Sequence, residues 1–214
     1  MTTPVDAGGS QPIVVATGNA HKVTEIAAIL AAAGLDEVQL VPMTELGVPS
    51  PVEDGDTFAA NARIKARACV AATGRPALAD DSGLAVDALD GEPGVFSARY
   101  AGPDASDADN NAKLVAALTD VPPAQRTGRF VCAAALVTPD GTEVVREGEM
   151  PGRIVPAAGT YGCGYDPLFL ADATTDGRTN GELTPAEKDA ISHRGAAFRV
   201  LAADLAAWLG TGHP

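Results

Sequence analysis

The chain has 214 residues, 46% of them hydrophobic and only 4% aromatic, and a formal net charge of −13. That length and apolar content suffice for one sizeable core, built from Ala, Val and Leu rather than rings, and the mixture of strand-like and helix-like segments implies an α/β fold. The acidic balance argues against non-specific nucleic-acid binding, which needs a cationic surface, and with neither a leader-type segment nor an apolar run of membrane length the expectation is a soluble cytoplasmic protein.

Residues 1–11, with their Gly, Ser and Pro, read as a flexible tail, and residues 12–211 as a single domain. Ile13-Val14-Val15-Ala16, the turn Thr17-Gly18-Asn19 and the apolar spacing Val23, Ile26, Ala27, Leu30 predict strand, tight loop and helix. Gly18 permits close backbone approach, and Asn19 is a candidate N-cap. Lys22 falls in the first helical turn, where it opposes the helix dipole unless an anion is near. Free N–H groups plus an ammonium suit phosphate; an ordinary strand-to-helix connection with a solvated Lys fits the same residues.

Glu53-Asp54-Gly55-Asp56-Thr57 leads into a predicted helix from Phe58 to Thr73, capped by Asp56 or Thr57 and stopped at Gly74. Asn61 and Lys65 share one face of it, while Phe58, Ile64, Ala68 and Ala72 turn toward a core. The polar pair beside an acidic loop suits either a metal-phosphate site or a plain surface helix. Ala79-Asp80-Asp81-Ser82-Gly83-Leu84 also has two readings. One is a polar turn in which Gly83 supplies a positive φ. The other is a pair of acids neutralised by a divalent metal that carries a polyphosphate, since hard Mg²⁺ takes one or two carboxylates plus substrate oxygens.

Further along, Gly94 to Tyr100 reads as a loop with a short helical turn. Asp107 to Leu118 reads as an amphipathic helix through Ala108, Asn111, Leu114, Val115 and Leu118. Asp104 to Asp109 lacks the Gly and closing Glu of a calcium loop and is taken as a solvated loop and helix cap. Phe130–Val137 and Glu143–Glu149 form a hairpin through Pro139-Asp140-Gly141-Thr142. Ser192 caps a final helix opened by His193 and Arg194, with apolar positions Ala197, Val200, Leu201, Leu205 and Leu209. Lys188 and Arg194 are donor-only groups, suited to carbonyl oxygens or anions, or to pairing with nearby acids in a basic turn. Cys69, Cys132 and Cys163 are scattered and, like His21, His193 and His213, lack metal-ligand spacing, which favours reduced thiols.

Six motifs in this order resemble the inosine triphosphate pyrophosphatase family of bacterial type, from Ile13 to about Leu209. They are Thr17-Gly18-Asn19 with Lys22; Glu53-x-Gly55-x-Thr57-Phe58 with Asn61-Ala62 and Lys65-Ala66; Asp80-Asp81-Ser82-Gly83-Leu84; Gly94-x-x-Ser97-Ala98-Arg99-Tyr100; Gly164-Tyr165-Asp166-Pro167; and Glu187-Lys188 with Ser192-His193-Arg194. The resemblance implies an elongated two-lobed mixed-sheet α/β fold with flanking helices and a central substrate cleft, and a homodimer. It implies Mg²⁺-dependent hydrolysis of ITP, dITP or XTP to the monophosphate and pyrophosphate. Carried over position by position, Asp81 is the general base and a metal-site carboxylate, Glu53 the second metal-site acid, and Ser82 a substrate contact. Thr17, Gly18, Asn19, Ala20, His21 and Lys22 form the triphosphate loop, with Lys65 a phosphate contact. Cys163, Gly164, Tyr165, Asp166, Lys188, His193 and Arg194 meet the nucleoside and base. Cys163 departs from the family pattern, which has an aromatic there to stack on the purine; Tyr161 or Tyr165 could replace it. Two other activities fit parts of the pattern: a nucleotide-binding protein without turnover, and a metal-dependent phosphomonoesterase.

Overall fold

The computed structural model describes residues 11–211, apart from the side chain of His21. The expected tail therefore lies, except for Gln11, outside the described residues, as does His213. Among the described residues one mixed six-stranded sheet runs in the order β2-β1-β3-β4-β5-β6. Its strands are β1 (Ile13–Val15), β2 (Leu40–Pro42), β3 (Ala77–Val86), β4 (Thr127–Val137), β5 (Glu143–Ile154) and β6 (Phe169–Ala171). β1 pairs in parallel with β2 and β3, and the remaining pairs are antiparallel. The helices among the described residues are α1 (Ala20–Ala32), α2 (Phe58–Thr73), α3 (Asp107–Ala117), α4 (Pro185–Ile191) and α5 (His193–Gly210), and none of these is long and apolar enough to cross a membrane.

Successive side chains on a strand point to opposite faces, and the cores divide accordingly. Leu78, Cys132, Ala134 and Leu136 pack with Ile26 and Leu30 of α1 and Phe198, Leu201 and Leu205 of α5. Ala77, Ala79, Ala133 and Ala135 pack beneath Ala62, Ala66 and Cys69 of α2. A third core forms farther along, where Leu84, Val86, Phe130 and Met150 meet Leu114 and Leu118. One face of β3 therefore reads Leu78, Asp80, Ser82, Leu84, Val86: an apolar core, a polar interval, then a second apolar core.

Helix α2 has the predicted ends. Thr57 accepts from Ala60 N, and Gly74 adopts the left-handed conformation that stops the helix. Its inward face is shifted from the predicted one. Asn61, Ala62, Lys65, Ala66 and Cys69 are buried and Ala72 is exposed, so the polar pair points into the protein rather than to solvent. In α3 the buried positions are Asn110 and Leu114, with Leu118 just beyond, whereas Ala108 and Val115 are exposed. In α5 Phe198 and Ala202 are buried and Val200 is exposed. The hairpin strands extend beyond their predicted ends, to Thr127 and to Ile154.

Candidate functional site

The turn reading of the Asp-Asp-Ser-Gly segment does not hold. Residues 77–86 are one continuous strand, with Asp80 opposite Ala134 and Asp81 opposite Ala133 of β4. Two small partners leave room for carboxylates on both faces. Gly83 is required by packing and not by a positive φ. A Cβ there would lie 2.5 Å from Gly94 O and 2.5 Å from Ser97 Oγ, because the turn at residues 94–99 closes over the strand. Ser97 fixes this closure by donating to Gly94 O and accepting from Leu84 N.

The two adjacent acids do not converge. Asp81 faces α2. Lys65 Nζ donates to Asp81 Oδ1 at 2.8 Å and to Glu53 Oε2 at 2.9 Å, and Asn61 Nδ2 donates to Asp81 Oδ2 at 3.2 Å. The Asn61 Oδ1 accepts from Gly55 N and thereby ties the acidic loop to the helix. Burial pushes the Asp81 carboxyl above the usual carboxylate range despite the opposing Lys65 charge, and the Glu53 charge adds to the rise. Burial acts to lower the Lys65 ammonium, but its two acids win and raise it. Two carboxylates share one ammonium, which leaves this cluster with one negative charge in excess when all three are ionised.

Asp80 faces the other way, toward α1 and α5, with its side chain only 2% exposed. Lys22 Nζ donates to its Oδ2 at 3.0 Å and its Oδ1 at 3.2 Å, Arg194 Nε to Oδ2 at 3.1 Å, and Ser82 Oγ to Oδ2 at 3.3 Å. Arg194 Nη1 also reaches Glu25 at 2.7 Å. Burial alone would raise the Asp80 carboxyl, but the charges of Lys22 and Arg194 outweigh it and hold the group well below the usual range. The anion expected near Lys22 is thus supplied by the chain itself. Thr17 Oγ1 accepts from Asn19 N and shapes the preceding loop, in which Gly18, Asn19 and Ala20 are exposed. Gly18 has Thr44 close by: a Cβ would lie 3.2 Å from its methyl group. Of the predicted phosphate loop, only the His21 side chain lies outside the described residues.

The segment around Cys163 is held by acids that the sequence does not single out for that task. Asp166 is buried, and it accepts from Cys163 N at 2.9 Å, from Asn180 Nδ2 and from the Lys188 ammonium. Gly164 is held from α3: Asp107 accepts from its N at 2.7 Å and Asn111 donates to its O at 3.0 Å. Asp107 is therefore more than a solvated loop acid. Tyr165 turns into the third core, with its hydroxyl donating to Ser97 O at 2.9 Å, whereas Tyr161 is 52% exposed and Cys163 is exposed. Ser192 ends α4 and caps α5 by accepting from Gly195 N. His193 stacks on Phe130 at 5.1 Å, and its buried Nδ1 has no hydrogen-bond partner among the described residues. Burial, with the Arg194 and Lys188 charges, pushes its imidazole down to about 3, so it is neutral at physiological pH.

Asp107 and Asn111 are the site residues to which sequence reasoning gave no role in the site. Asn61 and Asp80, read within a polar pair and an acid pair that suit a metal-phosphate site, are instead bonded within the chain, Asn61 to Asp81 and Gly55, Asp80 to Lys22 and Arg194. The contacts of Asp107 and Asn111 span more than 50 residues, and no local signal marks them. Among the described residues no group of three or more His, Cys, Asp or Glu side chains is arranged to hold a metal. The Glu53–Asp81 pair could hold one only with oxygens from another source.

An open mixed sheet with two charge clusters back to back at the middle of a long strand defines the class: an α/β protein with its polar site at the sheet centre rather than on a peripheral loop. A sequence profile of the Ham1 family matches residues 13–204, and the chain belongs to that family. A dITP/XTP pyrophosphatase of Frankia alni is 57% identical over 196 residues, covering 89% of this chain and 95% of that protein. One from Escherichia coli O157:H7 is 51% identical over 194 residues, covering 89% and 96%. The structure of a HAM1 protein from Coxiella burnetii aligns with a TM-score of 0.84 at 41% identity, covering 92% of this chain and 100% of that one. These matches bear out the resemblance read from the motifs.

Proposed function

We propose that the protein hydrolyses non-canonical purine nucleoside triphosphates, namely ITP, dITP and XTP, to the monophosphate and pyrophosphate. The observation that carries this reading is Lys65 bridging Glu53 and Asp81 on the α2 face of β3. Two carboxylates with one excess negative charge fit a hard divalent cation whose remaining ligands are substrate oxygens. Glu53 and Asp81 would hold Mg²⁺, which when bound neutralises charge on the triphosphate. Asp81 is the general base: it takes a proton from the water that attacks the α-phosphorus as pyrophosphate leaves. Its raised pKa, caused first by burial, makes it a stronger base than a solvated carboxylate. Lys22 and Lys65 act on the phosphates. Arg194 and Lys188, which can only donate, favour a 6-oxo purine and leave buried groups unpaired against a 6-amino one.

Residues 12–211 form the working unit, and the reading extends to a homodimer in the cytoplasm. The free thiols Cys69, Cys132 and Cys163 support a reducing compartment. The test is product analysis with Mg²⁺ on ITP, XTP, dITP, GTP and ATP, with Asp81→Asn as control. We expect monophosphate and pyrophosphate chiefly from the 6-oxo substrates without a 2-amino group, and a loss of about 10²–10⁴-fold in kcat for the variant. Inorganic phosphate as the direct product, released also from a nucleoside monophosphate, would establish the phosphomonoesterase reading, and binding without turnover the sensor reading.

A further inference from the structure

Asp80 has no assigned role in the chemistry, yet it is the most heavily engaged carboxylate of the site. Four donated hydrogen bonds converge on it from three directions: two from Lys22 on α1, one from Arg194 on α5 and one from Ser82 on its own strand. Lys22 and Arg194 are 172 residues apart in sequence (194 − 22) and open different helices, and Asp80 is the group on which both ammonium and guanidinium meet. Glu25 completes a cluster of two acids and two bases with no excess charge when all four are ionised. On the opposite face of β3, by contrast, the cluster of Lys65 with Glu53 and Asp81 carries one negative charge in excess.

We propose that Asp80 is a positioning residue that couples the triphosphate end of the site to its base-reading end, by serving as the common counter-ion of Lys22 and Arg194. This rests on the reading of those two cations as substrate contacts. The physical argument is competition for one anion. A triphosphate draws the Lys22 ammonium toward its own oxygens, which leaves the buried Asp80 to be satisfied by Arg194 and Ser82. A buried carboxylate that loses one donor tightens on those that remain, because an unpaired charge is costly there. Arg194 is then held more firmly while the base is read. When pyrophosphate departs, Lys22 returns to Asp80 and the hold on Arg194 relaxes. Base discrimination is therefore stronger for triphosphates than for monophosphates, and the product nucleotide is held less selectively than the substrate.

The decisive experiment uses inorganic tripolyphosphate with Mg²⁺, a probe with phosphates and no base, titrated into the wild-type protein carrying ¹⁵N-labelled arginine, with the backbone amides of residues 17–22 followed alongside. The expected result is saturable binding at those amides together with a shift of the Arg194 Nε–H signal at the same midpoint. Both responses are lost in Lys22→Met, and the Arg194 response alone is lost in Asp80→Asn. Binding that leaves Arg194 Nε–H unmoved overturns the coupling and spares the reading of the site. Absence of binding at residues 17–22 overturns both. A kinetic measurement separates positioning from plain structural support: in Asp80→Asn the ITP-over-ATP ratio of kcat/KM falls by about fivefold or more, a split between the two substrates that a general loss of structure does not produce. An equal fall in kcat for both substrates with their ratio unchanged refutes the proposal. Should Asp80→Asn not fold, the wild-type titration still decides.

Discussion

At the scale of single residues, the neighbours Asp80 and Asp81 show how strand geometry separates two functions. Adjacent in sequence, they are held by different cations on opposite faces, and their carboxyls shift in opposite directions. His193 is the residue for which acid sensitivity has a clear sign. Its pKa falls from the ordinary imidazole value of 6.5 to about 3 on folding, chiefly by burial. The unfolded chain therefore binds the proton that the folded one refuses, so the stability tied to this group is fully present above about pH 6.5 and is lost as pH falls toward 3. Urea denaturation across that interval should show unfolding free energy dropping more steeply in the wild type than in His193→Phe, which cannot titrate. Parallel curves would mean that the imidazole is not kept neutral by its surroundings.

At the scale of elements, α5 carries His193 and Arg194 at its first turn and is seated on β5 at Gly148. A Cβ at that position would run into His193 O and Ala197 N. Gly148→Ala should therefore lift the start of α5 and destabilise the protein by about 1–3 kcal/mol. It should also raise KM, because Arg194 moves relative to Asp80. Gly210→Ala, at the other end of the same helix with nothing within 4 Å, is the control and should stay within about 0.5 kcal/mol. Chemical denaturation and steady-state kinetics on both variants check this. Elements whose signals are local were legible in the sequence. Thr57 and Gly74 mark the ends of α2, and Ser192 marks the start of α5. Faces were less legible, since the Ala-rich stretches of α2 offer several stripes of similar apolarity and only the partner strands select among them. The Asp-Asp-Ser-Gly strand stayed ambiguous because acids and Gly disfavour strands in isolation; pairing with β4, some fifty residues away, overrides that preference. For the site, the motifs marked the residues, but not that Tyr165 points into the core or that Asp166 is taken up in holding Cys163 and Lys188.

For the whole molecule, the charge balance bears on how an anionic substrate arrives. A chain of net charge −13 repels a triphosphate at long range, and only the local cations favour it at contact. Added salt screens the long-range part first. Between about 10 and about 100 mM monovalent salt, where the Debye length shrinks from roughly 30 to roughly 10 Å, kcat/KM should therefore rise at fixed free Mg²⁺, opposite to an enzyme that steers its substrate electrostatically. A monotonic fall would place attraction, and not repulsion, in control of encounter. The back-to-back arrangement of Asp80 and Asp81 has one more consequence, for how the gene can vary. Losing or gaining a single codon between Ala77 and Asp80 turns each acid to the opposite face, so one carboxylate takes the position of the other while the second falls two residues from the cluster it now faces. Substitutions in this stretch can be graded in effect, but a shift in length by one rewires both clusters at once. Change of length has room instead in the exposed loops on either side of α3, which touch neither carboxylate.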